Sequence, residues 1–289
     1  MLPAGFSSTT ERLWADFLAV APLRAYTRMV RHLAGIYVPT PLRAVVLGGL
    51  AKRMGMDLSE AEHPIEHYQS LHQLFIRHLK SGARPSTARA DALVSPVDGA
   101  ISALGALEGE TLLQAKGMTY SAGELLGNDE LAKSLRGGFF ITLYLRPRDY
   151  HRIHAPLGGR LKSCRRIPGT LFPVQPSSVR NVAGLFVRNE RVVLELETSV
   201  GPVAVVFVGA AAVGAITTPF EDGSRGLVNF ASPPEVARGD ELGVFNLGST
   251  VIVIMPRGSG SLSPLALRDE VRVGAPLGEL QSGRAGGSR

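Results

Sequence analysis

From Pro85 onward this chain is written in short apolar or alternating runs, cut apart by clusters of Gly, Pro, Asn and Asp. The runs fall around residues 92–104, 138–145, 159–167, 192–198, 203–213, 242–247 and 250–255. Runs of this length bounded by turn formers favour strands over helices, and close spacing favours antiparallel neighbours. The expected body is therefore a mainly antiparallel β domain. The longest apolar run, Val200 to Ile216, is too short to span a bilayer and is broken by Gly201, Pro202, Gly209 and Gly214. Its β-branched content predicts buried strands.

Residues 1–56 follow a different period. Ser8-x-x-Glu11 has the form of a capping box, and Leu13, Trp14, Phe17 and Leu18 fall on one side of a helix that stops near Pro22. Beyond it, Tyr26, Val30 and Leu33 recur at helical spacing while Arg24, Arg28 and Arg31 form a separate basic stripe. Thr40-Pro41 reads as the cap and first turn of a third helix, with Leu42, Val45, Val46 and Leu50 apolar and Lys52 and Arg53 in its last turn. Asp57-x-x-Glu60 and Ser70-x-x-Gln73 are further cap signals, the second opening a helix through Leu71, Leu74, Phe75 and Leu79. The fold class expected is α+β: amphipathic helices over residues 1–56, then a mainly antiparallel β-rich domain over 57–289. Only the tail Gln281–Arg289 has the Gly/Ser-rich composition of a disordered segment.

Charge sharpens that division. Of the net +6, residues 1–56 hold seven bases against two acids, so the rest of the chain is nearly neutral. A basic amphipathic helix with Trp, Phe and Leu on its apolar face suits an anionic membrane surface or packing against the β domain, which for such helices in general is the commoner case. Nucleic acid is disfavoured, because the aromatics lie among the apolar residues and not between the bases. At 289 residues and 45% hydrophobic content the chain can bury a large core. The single cysteine, Cys164, excludes an internal disulfide, and no Cys/His cluster has zinc-ligand spacing, so no metal is expected. No N-terminal stretch has the form of a secretory signal.

Three segments carry chemistry: Ser95-Pro96-Val97-Asp98-Gly99, Tyr150-His151-Arg152-Ile153-His154-Ala155-Pro156 and Leu247-Gly248-Ser249-Thr250. A serine hydroxyl directly after a glycine carbonyl can attack it, since Gly offers no side chain to block the approach. An Asp and a His elsewhere can orient and deprotonate that hydroxyl. Taken singly, each piece has a plainer reading: Asp98-Gly99 a hairpin turn, Gly248-Ser249 a polar turn, either histidine a hydrogen-bonded loop residue. His151 and His154 are three positions apart. A strand puts them on opposite faces, whereas a turn or helical twist brings both to one pocket.

The three segments occur with Leu113-Gln114-Ala115-Lys116-Gly117, Tyr120-Ser121, Pro168-Gly169-Thr170-Leu171-Phe172, Asn181-Val182, the stretch from Leu185 to Arg191, and Val208-Gly209-Ala210. In this order, from about residue 65 to 275, the chain resembles the pyruvoyl-dependent phosphatidylserine decarboxylases. The resemblance implies two facing sheets with Ser249 on a turn between neighbouring strands. It implies that Ser249 Oγ attacks the Gly248 carbonyl, that the ester eliminates, and that the residual dehydroalanine hydrolyses to a pyruvoyl group with loss of ammonia. The products are a chain of residues 1–248 and one of 249–289, a heterodimer that a homodimer can repeat. By position in the motif, His154 matches the self-processing base, Asp98 the carboxylate that orients it, and His151 the histidine of the decarboxylation step. The cofactor is the pyruvoyl group made from Ser249, without metal or pyridoxal phosphate. Its ketone forms a Schiff base with phosphatidylserine and takes up the electrons released with CO₂, giving phosphatidylethanolamine. The implied location is peripheral, on the cytoplasmic face of a bacterial inner membrane. Lys116 and Tyr120 belong to the shared pattern without an assigned chemistry.

Two rival functions can be weighed from the residues. Asp98, His154 and Ser249 are the residue types of a hydrolase triad, but Ser249 lacks the Gly-x-Ser-x-Gly elbow, and strand and helix do not alternate as that fold requires. An inactive membrane-bound scaffold would have no need to retain Ser249, His154 and Asp98.

Overall fold

The computed structural model describes residues 23–85, 88–115, 117–211, 216–221, 226–246 and 249–281. The helix expected from Ser8, Lys116, Gly248 and all but the first residue of the Gly/Ser tail lie outside that set.

Two helices, α1 (Leu23–Ala34) and α2 (Thr40–Met54), lead into the body. Helix α2 has Pro39 in the capping position with no side-chain hydrogen bond, one residue before the expected Thr40, and it ends on Gly55 in the left-handed conformation. Without a cap, its stability comes from packing: Leu47 and Ala51 join Met56, Tyr68, Leu74 and Phe75 in a small cluster separate from the main core. Asp57 opens no helix. Its carboxylate accepts from the Ser59 N–H at 2.9 Å and hydroxyl at 2.7 Å, closing a turn. Ser70 does cap a helix, accepting from Gln73 N at 3.2 Å, but this α3 (Leu71–Phe75) stops short of Leu79, which instead bridges Ala61.

The body follows as β1 (Ala92–Val94), β2 (Gly99–Ala106), β3 (Thr111–Ala115), β4 (Met118–Ser121), α4 (Ala122–Leu126), α5 (Asp129–Ser134), β5 (Phe139–Leu145), β6 (Arg152–His154) and β7 (Gly159–Ile167). Then come α6 (Pro176–Val179), α7 (Leu185–Arg188), β8 (Arg191–Thr198), β9 (Gly201–Val208), β10 (Ile216–Thr217), β11 (Leu227–Asn229), β12 (Glu235–Val236) and β13 (Glu241–Phe245). The chain closes with β14 (Ser249–Met255), β15 (Gly260–Leu262), β16 (Glu270–Val271) and β17 (Pro276–Leu280). The fold is α+β and its named strands pair antiparallel, as expected.

Among the described residues the largest sheet has nine strands in the order β11-β7-β8-β9-β14-β5-β2-β16, with β12 also on β7. Strand β14 lies at its centre: Val253 is paired with Ile141 on one side and Val205 on the other, and all seven of its residues are buried. Pro202 sits on β9 beyond the last β14 pair, Ile254 with Ala204, where its missing N–H breaks no bond to that strand. A three-stranded sheet, β10-β13-β6, packs on this one, with Phe245 edge-on to Phe207 at 6.1 Å. A second three-stranded sheet, β1-β17-β15, and the β3-β4 hairpin complete the body.

Ser249 does not sit in a hairpin turn. Strands β13 and β14 are consecutive in sequence but belong to different sheets, so the chain leaves the small sheet after Phe245 and enters the centre of the large one at Ser249. The connection falls where two layers meet.

Candidate active site

Asp98 lies between β1 and β2, and the Asp-Gly pair does not form a hairpin. Gly99 is needed there because a Cβ would stand 2.6 Å from the Tyr144 carbonyl oxygen. The Asp98 carboxylate, almost fully buried, accepts from Arg84 Nε at 3.0 Å and Val273 N at 2.9 Å, with Arg84 Nη2 on its second oxygen. Burial alone would weaken the Arg84 charge, but its hydrogen bonds to Asp98 and Glu60 more than offset that and raise its pKa. The segment before Asp98 is pinned by Ser95 Oγ donating to Val97 O at 2.7 Å, and Pro96 O accepts from His154 N at 2.8 Å. The Asp98 segment thus touches the backbone of the histidine strand.

The two histidines are held differently. His151 comes just before β6 and is wholly buried, its ring centroid 4.0 Å from that of Phe75. Its Nδ1 lies 2.8 Å from the Asp149 carbonyl, which can only accept, so the proton is on Nδ1 and the Nε2 lone pair is free. Nε2 has no partner among the described residues. Burial pushes the imidazole pKa down to about 3, with the Arg77 charge adding to the shift, so His151 is neutral at physiological pH. His154 closes β6, half-buried, with Nδ1 2.8 Å from the Gly239 carbonyl and Nε2 3.3 Å from the Tyr150 hydroxyl. Burial lowers its pKa as well. The strand therefore separates the pair by its period of two. His151 and Ile153 turn inward, whereas His154 shares a side with Arg152, which bonds Glu241 at 2.8 Å.

Ser249 is completely buried, and its Oγ has no hydrogen-bond partner among the described residues. Asp98, His154 and Ser249 are not linked in a relay: Asp98 is held by Arg84 and Val273, and His154 by Gly239 and Tyr150. That is not the connected geometry of a hydrolase triad. Short α3 walls this region. His72 Nε2 lies 2.8 Å from Asn246 Oδ1, three residues before the serine, and Arg152 Nε donates to Ile76 O at 3.1 Å. No cluster of His, Cys, Asp and Glu able to hold a metal ion is found among the described residues.

Sequence reasoning missed Arg84, Tyr150 and the α3 wall as parts of the site. Tyr150 stood inside the quoted motif, and only Arg84's place beside Pro85 at the start of the β body offered a signal for it. Several other motif residues act as backbone clamps. Buried Gln114 donates to Val179 O and Val182 O at 2.8 and 2.7 Å and accepts from Leu185 N. Asn189 bonds both the N–H and carbonyl of Phe172 and the carbonyl of Gly209. Tyr120 is buried, and burial raises its pKa.

A family model described as phosphatidylserine decarboxylase matches residues 71–279, a span that holds α3, both histidines, Asp98 and Ser249. The chain belongs to that family. Among curated phosphatidylserine decarboxylase proenzymes, one from Anaeromyxobacter sp. strain K is 43% identical over 279 residues, covering 93% of this chain and 98% of the relative. Another, from Halorhodospira halophila, is 46% identical over 285 residues, covering 95% and 96%. A third, from Myxococcus xanthus, is 42% identical over 250 residues, covering 84% and 89%. The phosphatidylserine decarboxylase match begins at residue 71, after α1 and α2, whose surfaces read differently from the rest.

Helix α2 carries apolar side chains on two sides. Leu47 and Ala51 face inward with Arg43, whose Nε donates to Val38 O at 2.9 Å and Nη1 to Glu66 O at 2.6 Å, while Leu42, Val45, Val46 and Leu50 face outward, Val45 at 75% exposure. Tyr26, Met29 and Leu33 of α1, with Ile36 and Tyr37, are exposed too, alongside Arg28 and Arg31. No helix among the described residues is long and apolar enough to cross a membrane.

Proposed function

We propose that this protein is a phosphatidylserine decarboxylase that makes its pyruvoyl group from its own Ser249 and works peripherally on an anionic membrane, at the cytoplasmic face of the bacterial cell membrane. The observation that carries the reading is the Ser249 hydroxyl, completely buried and unpartnered, directly after Gly248 at the boundary between two sheets. A buried hydroxyl without a partner costs stability, and this one is set apart by following a glycine carbonyl that it can attack.

Ser249 Oγ attacks the Gly248 carbonyl carbon, and the peptide becomes an ester. Loss of the Ser249 α-proton with departure of the Gly248 carboxylate then separates residues 1–248 from residues 249–289. His154 serves this stage as the base, its Nδ1–H fixed by Gly239 so that Nε2 is the nitrogen able to take a proton. Asp98 acts through Arg84 and the Pro96 carbonyl that holds the backbone of His154. The group that results supplies a ketone to hold the substrate amine and an electron sink for the bond lost with CO₂. The residues fit it: its position is buried away from water, and His151, whose carbonyl accepts from Phe245 N at 3.0 Å four residues before the serine, presents a free Nε2. His151, kept neutral by burial and with its tautomer set by Asp149, is suited to handing a proton to the former α-carbon, and Phe75 shields it from solvent. The exposed apolar faces of α1 and α2 bind the bilayer, with residues 1–56 as the membrane-associating part and 57–289 as the catalytic part.

The test is a denaturing gel with intact mass. Two fragments ending and starting at 248 and 249 are expected, the smaller blocked at its N-terminus and reactive with phenylhydrazine. A single unreactive chain in active material overturns the reading.

A further inference from the structure

Arg77 follows α3 by two residues and is only 4% exposed, yet its Nε and Nη1 have no hydrogen-bond partner among the described residues. Buried cations are ordinarily paired. This one lines a cavity of about 570 Å³ shared with Asp98 and Tyr150. The other arginines of that cavity are all engaged: Arg84 with Glu60 and Asp98, Arg146 with Asp149 and Glu270, Arg148 with Glu270, and Arg272 with Glu60. Asp57, the remaining acid, is occupied by Ser59. Among the described residues the cavity thus keeps one buried guanidinium with no carboxylate hydrogen-bonded to it, and a guanidinium stays charged.

Its place in the site is defined by its neighbours. Phe75 meets the His151 ring and Ile76 O accepts from Arg152, so the segment ending in Arg77 is fixed against the strand that bears both histidines. Gly55 and Asp57, just past α2, also line the cavity, which puts its rim next to the helix whose leucines and valines face outward. A ligand reaching Arg77 from that side carries an anion with apolar chains behind it.

Within the decarboxylase reading, on which this inference rests, the substrate has two anions. A cation clasping the carboxylate would stabilise it in the ground state and oppose its departure as CO₂. The phosphodiester keeps its charge through the reaction, so holding it costs the chemical step nothing. We propose that Arg77 is the receptor for the phosphodiester of the serine phospholipid headgroup. Its planar fork matches two phosphate oxygens in a way a lysine ammonium does not.

Arg77→Gln and Arg77→Lys would be compared with the wild type by fragment gel, by KM and kcat on phosphatidylserine vesicles, and by the inhibition constant of glycerophosphoethanolamine, which retains the phosphodiester and amine but lacks the carboxylate. Both variants should self-cleave. In Arg77→Gln, KM and the inhibition constant should rise together by about 10- to 100-fold, the scale of a lost charge-assisted hydrogen bond, with Arg77→Lys between. A raised KM with an unchanged inhibition constant assigns Arg77 to the carboxylate and overturns the proposal, as do unchanged values of both. Should Arg77→Gln fail to self-cleave, the inhibition constant of Arg77→Lys decides by the same criterion. Failure of both variants to self-cleave makes Arg77 a folding residue and also overturns the proposal. A wild type that yields no fragments sinks the decarboxylase reading itself.

Discussion

The helices of residues 23–54 and the nine-stranded sheet both carry many apolar side chains, but they direct them oppositely. Valines at 193, 205, 206, 251 and 253 are sealed between layers, whereas Val45 and Val46 stand in the open while Arg43 is tucked inward onto backbone carbonyls. The difference teaches that the described residues seal the sheet on both sides but leave an apolar face of the helices open. On the proposed reading a bilayer would cover that face, since basic side chains stand beside the apolar ones.

The strongest way to break this comparison is Ser249→Ala. We expect one full-length chain and turnover reduced to background, with vesicle binding unchanged, because the helical face works independently of the cut. Two fragments from that variant would refute the assignment. Next, His151→Gln should leave both fragments in place and reduce turnover by at least about 100-fold, the usual scale of a lost proton donor. Replacing Leu42, Val45, Val46 and Leu50 together by Ser should weaken sedimentation with anionic vesicles by at least about tenfold, with self-cleavage retained. Equal sedimentation would show that the exposed face meets no membrane.

Smaller effects test the interior. The His151 imidazole titrates at about 3 when folded and near 6.5 when unfolded, so between those values the unfolded chain binds the extra proton. Stability is therefore undiminished by this group above about pH 6.5 and is lost as the pH falls. His151→Gln should remove about 2 kcal/mol of the acid destabilisation between pH 6.5 and 4.5, read from urea midpoints. Finally, Val205→Ala at the sheet centre should cost about 2 kcal/mol, and Val45→Ala less than about 0.5 kcal/mol in water. Comparable losses would place Val45 in a core.

What was legible in the sequence depended on locality. The strands around 139–145 and 249–255 are legible because a strand buried on both faces writes itself as an apolar run, whereas the one around 159–167, of mixed burial, stands out by the Gly and Pro that bound it. Ser249, His151 and His154 stood out because each lies in a short contiguous motif. Arg84 did not, since its role exists only through Asp98, fourteen positions further on, and pattern along a chain does not encode such pairings. The orientation of α2 was hidden for another reason: helical spacing marks an apolar face without saying whether protein or another medium covers it. Strands β10, β12 and β16, two residues each, carry too little pattern to read. The hairpin of β3 and β4 was overlooked beside its motif residues, whose work proved to be clamping backbone.

The position of β14 bears on what happens after scission. The segment from Ser249 onward supplies the middle strand of the large sheet, lays β16 along β2, and lays β17 between β1 and β15. Cutting the bond in front of it leaves every one of those pairings intact, so the shorter product is woven into the longer one. It cannot drift away without the body unfolding. On the proposed reading the new end would be delivered already immobilised, the entropy of fixing its reactive group having been spent during folding, before any lipid arrives.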